Sequence, residues 1–191
     1  MNNGVKALLI ILGVIVLIAG GAVMYGVGEY NKAVAMDEQV KSQWAQVENQ
    51  LKRRYDLIPN LVETVKGYAT HERELFENIA NARTKYFQAN TVKDKVQAAN
   101  QVEGLLSRLL VLRETYPQLK ANENFLKLQD SLEGTENRIA VERMRYNETV
   151  KVLNTYRRSV FGKFFASLAG VNEAQYYEIP QAEKEAPKVK F

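Results

Sequence analysis

ALLIILGVIVLIAGGAVMYGVG, residues 7–28, decides the character of the N-terminal part of this chain. The run contains no charged side chain, and as a helix it spans about 33 Å, which matches a hydrocarbon core about 30 Å thick. The alternative is a cleaved signal peptide, whose apolar core is usually shorter, about 7 to 15 residues. We therefore expect residues 1–28 to form a retained transmembrane anchor.

The composition beyond this run is typical of helices and excludes several classes of site. Only 4 Pro and 11 Gly occur in 191 residues, and most Gly lie in the first 30. The absence of cysteine excludes disulfides, thiolate metal sites and cysteine nucleophiles. The 26 Lys and Arg residues are interspersed with 22 Asp and Glu residues, a balance that indicates a solvated helical surface and no nucleic-acid partner.

A heptad-like stripe of apolar residues follows the anchor without a loop signal between them. We therefore expect the anchor and the first helix beyond it to form one continuous rod. Pro59 lacks a backbone donor, which predicts a kink or short break near Arg54 to Ile58, with Asp56 capping the resumed helix. The members of the stripe are Val40, Trp44, Val47, Leu51, Tyr55, Ile58, Val62 and Val65.

Three further helices follow from periodicity and from their start and stop signals. The first begins after Thr70, its predicted N-cap. The second runs from about Val92 to Thr115 and ends there, because Pro117 disfavours a helical backbone at Tyr116. The segment 117–122 is the clearest loop, and the longest helix lies between Ala121 and Ser159.

These elements predict an all-α fold, with an N-terminal transmembrane helix followed by an antiparallel bundle of about four long helices. The expected organisation is a transmembrane anchor over residues 1–28, a helical bundle over residues 29–170 and a C-terminal tail over residues 171–191.

Two runs carry a specific resemblance: RRYDLIPNLVETVKGYA at residues 53–69 and YPQLKANENFLKLQDSLEGTENRIA at residues 116–140. With these runs and the ending APKVKF at residues 186–191, the chain resembles the LemA family of bacterial membrane proteins over nearly all of residues 29–191. The resemblance implies a membrane anchor followed by a helical bundle. Genes of LemA-family members lie near genes for a membrane zinc protease and for TPM-domain proteins. The resemblance therefore implies one of these proteins as partner, and a link to membrane-protein quality control.

The sequence offers little material for catalysis. His71 is the only histidine, so a ferritin-like di-metal site, which needs a Glu-x-x-His pair on each of two helices, is excluded. No Ser-His-acid set is readable either. We expect His71 to be a surface residue at a helix start, and we expect no enzymatic activity and no cofactor.

A basic cluster and the segment after it form a first candidate contact surface. The cluster is the densest in the chain, and its functional interpretation is contact with a partner protein or a lipid headgroup. The alternative, which we favour, is a solvated outer face just before the Pro59 kink. The residues of this surface are Lys52, Arg53, Arg54, Asp56, Pro59 and Asn60.

A second candidate surface lies near the C-terminal end of the longest helix. Aromatic and aliphatic residues recur there at helical spacing beside Arg157, Arg158 and Lys163, which is typical of a segment lying on an anionic membrane surface. The alternative is that the segment folds back and covers the base of the bundle. The residues expected to contact the membrane are Phe161, Lys163, Phe164, Phe165 and Leu168.

Together these features predict a non-enzymatic scaffold or adaptor in the bacterial inner (cell) membrane; the alternative is a module that binds lipid or membrane surfaces. The expected partners are the lipid bilayer, other membrane-associated proteins and a second copy of the chain. The flanking charges of the single span, Lys6 and the N-terminal amine on one side and Lys32 and Lys41 on the other, hardly discriminate between the two orientations. Because Lys6 and the amine lie close to the span, and because the lipoprotein cysteine of some LemA-family members implies it, we expect the N-terminus inside and the bundle on the exoplasmic, or periplasmic, side.

Overall fold

The computed structural model describes residues 3–178, apart from the Val5 side chain. Its helices are α1 (Asn3–Lys66), α2 (Arg73–Gln88), α3 (Val92–Thr115), α4 (Pro117–Lys120), α5 (Glu123–Arg158) and α6 (Val160–Leu168). No strand occurs within residues 3–178. The all-α class, with a long apolar N-terminal helix and packed helices, is confirmed, and the number of helices in the bundle stays a prediction.

Helix α1 confirms the continuous rod and contradicts the predicted break. It runs through Pro59 without interruption over 64 residues. Pro59 is exposed, and the only helical hydrogen bond that its missing N–H removes is the one to the carbonyl of Tyr55. Asp56 does not cap a new helix, because its carboxylate accepts a 2.9 Å hydrogen bond from Lys52 Nζ in the preceding turn.

The later helices begin and end close to their predicted positions, and side-chain caps mark the starts of α3 and α5. Thr91 Oγ1 accepts a hydrogen bond from the Asp94 amide at the start of α3, and Asn122 Oδ1 accepts one from the Phe125 amide at the start of α5. The Thr70 cap is wrong, because Glu72 precedes α2 and caps it with no side-chain hydrogen bond. The predicted loop 117–122 contains α4.

The described chain divides into two compact units. Unit 1 comprises residues 3–42 and 149–174, and unit 2 comprises residues 43–148 and 175–178. In unit 2, α1 packs on α2 through the rings of Tyr55 and Tyr86, whose centroids are 4.4 Å apart. It packs on α5 through Trp44 and Tyr146, whose centroids are 5.2 Å apart. The buried stripe of α1 thus forms one wall of the unit 2 core.

Unit 1 has an unusual distribution of apolar residues. The apolar side chains of α1 from Leu8 to Val27 are exposed, and none of the residues in the most apolar 18-residue window of α1 is buried. A core helix of a water-soluble protein would bury most of such a window. By length and composition, α1 is long and apolar enough to cross a membrane.

Candidate membrane-facing surface

Short-range hydrogen bonds define both ends of α6. Ser159 Oγ accepts a hydrogen bond from the Gly162 amide, 3.1 Å away, which caps the N-terminus of α6. At the other end, Gly170 has a φ of 68°, and the amides of Gly170 and Val171 donate to the carbonyls of Ser167 and Ala166. This is a Schellman arrangement, in which glycine adopts the left-handed conformation at no steric cost. The sequence therefore makes α6 a separate short helix.

One face of α6 packs within unit 1. Gly162 and Ala166 are buried, and the ring of Phe165 lies 3.5 Å from the position that a Cβ atom would take at Gly26 of α1. Phe161 contacts Tyr25 of α1 edge-on, with ring centroids 6.0 Å apart. A Cβ atom at position 26 would therefore be in ordinary van der Waals contact with the Phe165 ring.

The other face of α6 is apolar and exposed. Val160 is 85% exposed, and Phe161, Phe164 and Leu168 are each more than 60% exposed. Four large apolar side chains on a nine-residue helix are more than the scattered exposed leucine that most protein surfaces tolerate. We call Val160, Phe161, Phe164 and Leu168 the aromatic face.

The aromatic face lies level with the end of the apolar run of α1. Phe161 and Phe165 contact Tyr25 and Gly26, which are four and three residues before Glu29, the first charged residue after the run. The hydroxyl of Tyr156 donates to the backbone carbonyl of Glu29, 3.0 Å away, which fixes the end of α5 at the same level. Aromatic side chains are enriched near the ends of membrane-spanning segments in general.

The five residues predicted to contact the membrane separate into two groups. Phe161, Lys163, Phe164 and Leu168 are exposed, whereas Phe165 is half-buried against Gly26. The packed face matches the alternative of a segment that folds onto its own unit, and the exposed face matches the membrane-contact hypothesis. Sequence reasoning missed Tyr25 and Gly162, because nothing local to α6 shows which part of α1 it meets.

The first predicted contact surface does not form a single patch. Lys52, Arg53, Asp56, Pro59 and Asn60 are all exposed. Arg54 is different, because its exposed fraction is 0%. The expectation that the three basic side chains share an outer face is therefore wrong for Arg54.

The Arg54 guanidinium lies inside unit 2 between α3 and α5. Its Nε is 3.4 Å from Glu136 Oε1, and its Nη1 is 3.9 Å from Glu103 Oε2. These are ion pairs at long distances, and none of the three guanidinium nitrogens has a hydrogen-bond partner among residues 3–178. Burial raises the pKa of Glu136, and the attraction of Arg54 acts in the opposite direction.

A periodic signal for the burial of Arg54 was present in the sequence. Its position continues the steps of four and three on the core side of α1. That series is Val47, Leu51, Arg54, Ile58, Leu61 and Val65, all of which are buried. Sequence reasoning followed the apolar members only and so placed the charged member outside.

The described residues contain little that suggests metal or acid–base chemistry. No group of three or more His, Asp or Glu side chains able to hold a metal ion occurs in the described part of the chain. His71 is exposed near the start of α2, as the sequence predicted.

Comparison with known proteins identifies similar chains. The model described as LemA family matches residues 43–191. Magnetosome protein MamQ 2 of Paramagnetospirillum magneticum is 23% identical over 175 residues, covering 78% of this chain and 64% of that protein. Magnetosome protein MamQ of Magnetospirillum gryphiswaldense is 21% identical, covering 93% of this chain and 74% of that protein.

A further relative is Protein LemA of Metamycoplasma hominis, which is 24% identical over 130 residues, covering 68% of this chain and 59% of that protein. This chain thus spans less than two thirds of the length of MamQ 2 and of this LemA protein. The apolar N-terminal helix and the LemA and MamQ relatives together indicate a membrane-associated helical protein.

Proposed function

The chain belongs to the LemA family. We propose that it is a non-enzymatic scaffold, which α1 anchors in a bacterial cell membrane and whose helix α6 lies on the bilayer surface. Its bundle holds other membrane-associated proteins. The bundle lies on the exoplasmic side of a single span, and the chain self-associates. A membrane zinc protease or a TPM-domain protein is the partner class, and quality control of membrane proteins is the setting.

The observation that carries this proposal is the position of the aromatic face. An exposed apolar face on α6 is costly in water, but here it lies level with the end of a 22-residue uncharged run whose most apolar 18-residue window has no buried residue in the described structure. A bilayer would cover both the aromatic face and the apolar run of α1. Lys163, which is exposed on the same short helix, is suited to contact with anionic headgroups.

Site-specific labelling tests whether α6 lies on the membrane surface. Each label reports one position, because the chain has no cysteine of its own. Phe164→Cys and Leu168→Cys are made separately in the full chain, labelled with an environment-sensitive fluorophore and reconstituted into vesicles containing phosphatidylglycerol. We expect a blue-shifted emission and strong quenching by lipids that carry a spin label. The matched control is Met144→Cys, an exposed position in unit 2. If quenching at residues 164 and 168 is no stronger than at residue 144, α6 does not lie on the membrane surface.

Membrane extraction tests the anchor. We expect the full chain to stay in the membrane fraction after washing with high salt and with carbonate, because an uncharged span of this length partitions as an integral helix. Recovery of a soluble chain that starts near residues 20 to 25 would instead show a cleaved signal peptide.

Accessibility from outside the cell tests the orientation. A cysteine introduced at Gln129 of α5 should react with a membrane-impermeant maleimide in intact cells whose outer barrier has been opened. Reaction only after lysis would place the bundle inside.

Affinity purification separates the scaffold from the second candidate, a module that binds lipid surfaces, which the aromatic face also favours. Purification of the full chain in mild detergent should recover membrane proteins that are retained by Val141→Asp, at an exposed position, and lost with Ile139→Asp, at a buried one. Recovery of lipid without any protein that depends on the bundle would favour the lipid-binding module.

A further inference from the structure

A short segment of unit 2, residues 175–178, belongs to no helix or strand. Asn147 of α5 pairs with the backbone of Tyr177 in both directions. Its Oδ1 accepts from the Tyr177 amide at 2.8 Å, and its Nδ2 donates to the Tyr177 carbonyl at 3.0 Å. The amide and the carbonyl of one residue lie on the same side of the chain where the backbone is extended. Asn147 therefore binds an extended backbone, whichever side chain that residue carries.

Two further hydrogen bonds to this segment also use its backbone. The Tyr146 hydroxyl of α5 donates to the Gln175 carbonyl at 2.7 Å, and Asn100 Nδ2 of α3 donates to the Glu178 carbonyl at 2.9 Å. The side chains of Gln175, Tyr176 and Glu178 are exposed. Any extended segment can make such bonds, so they place few demands on its sequence. We call the three side chains that make these bonds the backbone clamp: Asn100, Tyr146 and Asn147.

Tyr177 supplies the one side chain of residues 175–178 that unit 2 buries, and it is 2% exposed. Its ring centroid lies 6.4 Å from that of Trp44 and 5.3 Å from the guanidinium of Arg143. The Tyr177 hydroxyl is buried without a hydrogen-bond partner within residues 3–178. A buried hydroxyl in that position is destabilising relative to the same ring without it. The Tyr177 pocket thus suits a phenylalanine ring better than the tyrosine that fills it.

We propose that the backbone clamp and the Tyr177 pocket form a docking groove for a partner protein. The partner presents an extended segment with a phenylalanine at the place of Tyr177, and residues 175–178 occupy the groove until that segment replaces them. The bound segment of this chain itself shows the class of ligand that fits. The inference rests on the proposed scaffold function, because it names the place where the bundle holds a partner.

Replacement of residues 175–178 does not require any helix to unfold. The segment lies outside α1 to α6, and three of its four side chains are exposed. Segments with few buried apolar contacts and hydrogen bonds near solvent open locally at a much smaller cost than global unfolding. A partner segment restores the same backbone hydrogen bonds and removes an unpaired hydroxyl from the interior, so the exchange is favourable.

A second copy of this chain is not the expected occupant of the groove. Its residues 175–178 carry the same tyrosine, so they gain nothing over the segment already bound. The segment of the same chain also has the advantage of an effective concentration that is roughly millimolar for a short linker. Only a segment with a better-fitting side chain offsets that advantage.

Titration with short peptides tests the groove in the full chain, solubilised in mild detergent. Tyr177→Ala empties the pocket, and the emission of Trp44, the only tryptophan of the chain, reports on the ring that enters it. The probe is the capped peptide AQYFE, which repeats residues 174–178 with phenylalanine in place of Tyr177. We expect it to bind about tenfold or more tightly than the capped peptide AQYAE, because the phenylalanine ring is buried on binding. Equal binding of the two peptides overturns the proposal.

A clamp variant adds a second measurement. In the Tyr177→Ala chain, Asn147→Leu removes two hydrogen bonds to the peptide and should weaken the binding of AQYFE about tenfold. Asn137→Leu, at an exposed position on the same helix, should leave it unchanged. Circular dichroism verifies that each variant keeps its helical content. An unchanged affinity in the Asn147→Leu chain contradicts the clamp.

Tyr177→Phe needs no empty pocket, because it keeps the ring and removes only the hydroxyl. We expect its melting temperature to rise by a few degrees, and we expect it to bind AQYFE more weakly than the parent chain does, since its own segment now fits better. A lower melting temperature would show that the hydroxyl is hydrogen-bonded in the folded chain, which overturns the preference for phenylalanine and the proposal with it.

These outcomes are distinct from those of the scaffold test. If neither peptide binds the Tyr177→Ala chain, the groove is not a docking site, even where affinity purification recovers proteins that depend on the bundle. Selective binding of AQYFE, together with a purification that recovers lipid alone, would support the groove and contradict the scaffold.

Discussion

The two units treat apolar and charged side chains in opposite ways. In unit 1, Leu17 and Met24 of α1 are 77% and 78% exposed, although they lie in the most apolar part of the chain. In unit 2, Arg54 of the same helix is completely buried. Hydrophobicity alone therefore does not predict burial within the protein.

The difference shows that each part of α1 has a pattern suited to its surroundings. Residues 7–28 are apolar on all sides, which is typical of a helix surrounded by lipid. Residues 47–65 are apolar along one stripe, which is typical of a helix that packs on others in water. The charged exception within that stripe is paired with two glutamates, as a buried charge requires. Substitutions at matched positions in the two units test this contrast.

The largest effect is expected for Ile139→Asp in the core of unit 2. Ile139 is 2% exposed, so the variant places an unpaired charge in an apolar interior, which costs about 4 kcal/mol or more. We expect loss of cooperative thermal unfolding, followed by circular dichroism. Val141→Asp, two residues away and 42% exposed, should change the free energy of unfolding by less than about 0.5 kcal/mol. Equal stability of the two variants would show that this face of α5 is not in a core.

A smaller and pH-dependent effect is expected for Arg54→Met. Removing one partner of a buried ion pair costs about 3 kcal/mol at neutral pH. The cost depends on ionised glutamates. Burial already raises the pKa of Glu136, and loss of the guanidinium raises it further. The deficit should therefore be complete above that raised pKa and shrink as pH falls through it towards the usual glutamate range.

Chemical denaturation of both proteins between pH 4 and pH 8 measures this dependence. Arg53→Met is the control, because Arg53 is exposed. A deficit that is the same at all pH values would mean that Arg54 contributes packing alone.

In unit 1, Gly162→Ala should displace α6. A Cβ atom there would lie 1.9 Å from the Tyr156 carbonyl oxygen, and relief of such overlap costs about 1 to 3 kcal/mol. We expect trypsin to cleave at Lys163 at least tenfold faster in detergent. Gly26→Ala brings a methyl group to an ordinary contact, 3.5 Å from Phe165, and should leave cleavage unchanged. Unchanged cleavage in Gly162→Ala would show that α6 does not need this close approach.

The smallest effect is expected for His71→Ala. His71 is exposed near the start of α2, and surface substitutions of this kind stay within about 0.5 kcal/mol. Both the melting temperature and the cellular phenotype should match those of the parent chain. A phenotype with an unchanged melting temperature would reopen a catalytic or metal-binding role.

Local signals predicted the helices of this protein better than its polar contacts. The helical run 7–28 and the end of α3 before Tyr116 and Pro117 depend on signals within a few residues, so those predictions agree with the structure. The break at Pro59 was wrong, because a single proline on an exposed side removes one donor and α1 continues past it. The helix retains its remaining hydrogen bonds and its buried stripe.

The candidate sites depend on residues far apart in sequence, and there the sequence was less informative. The partners of Arg54 are Glu103 and Glu136, 49 and 82 positions away, and no spacing rule connects them. Phe165 meets Gly26 for the same reason. Periodicity shows that a residue faces inward, but only the packed structure shows which residue faces it.

The pairing of Asn147 with Tyr177 makes the Tyr177 amide a reporter for hydrogen exchange. Tyr177 lies in no helix or strand, yet its amide is held by a side-chain oxygen at 2.8 Å and its side chain is buried. Such an amide exchanges with deuterium only when the segment lifts from α5. Its exchange rate therefore measures how often residues 175–178 detach from α5, and the measurement needs neither a label nor a substitution.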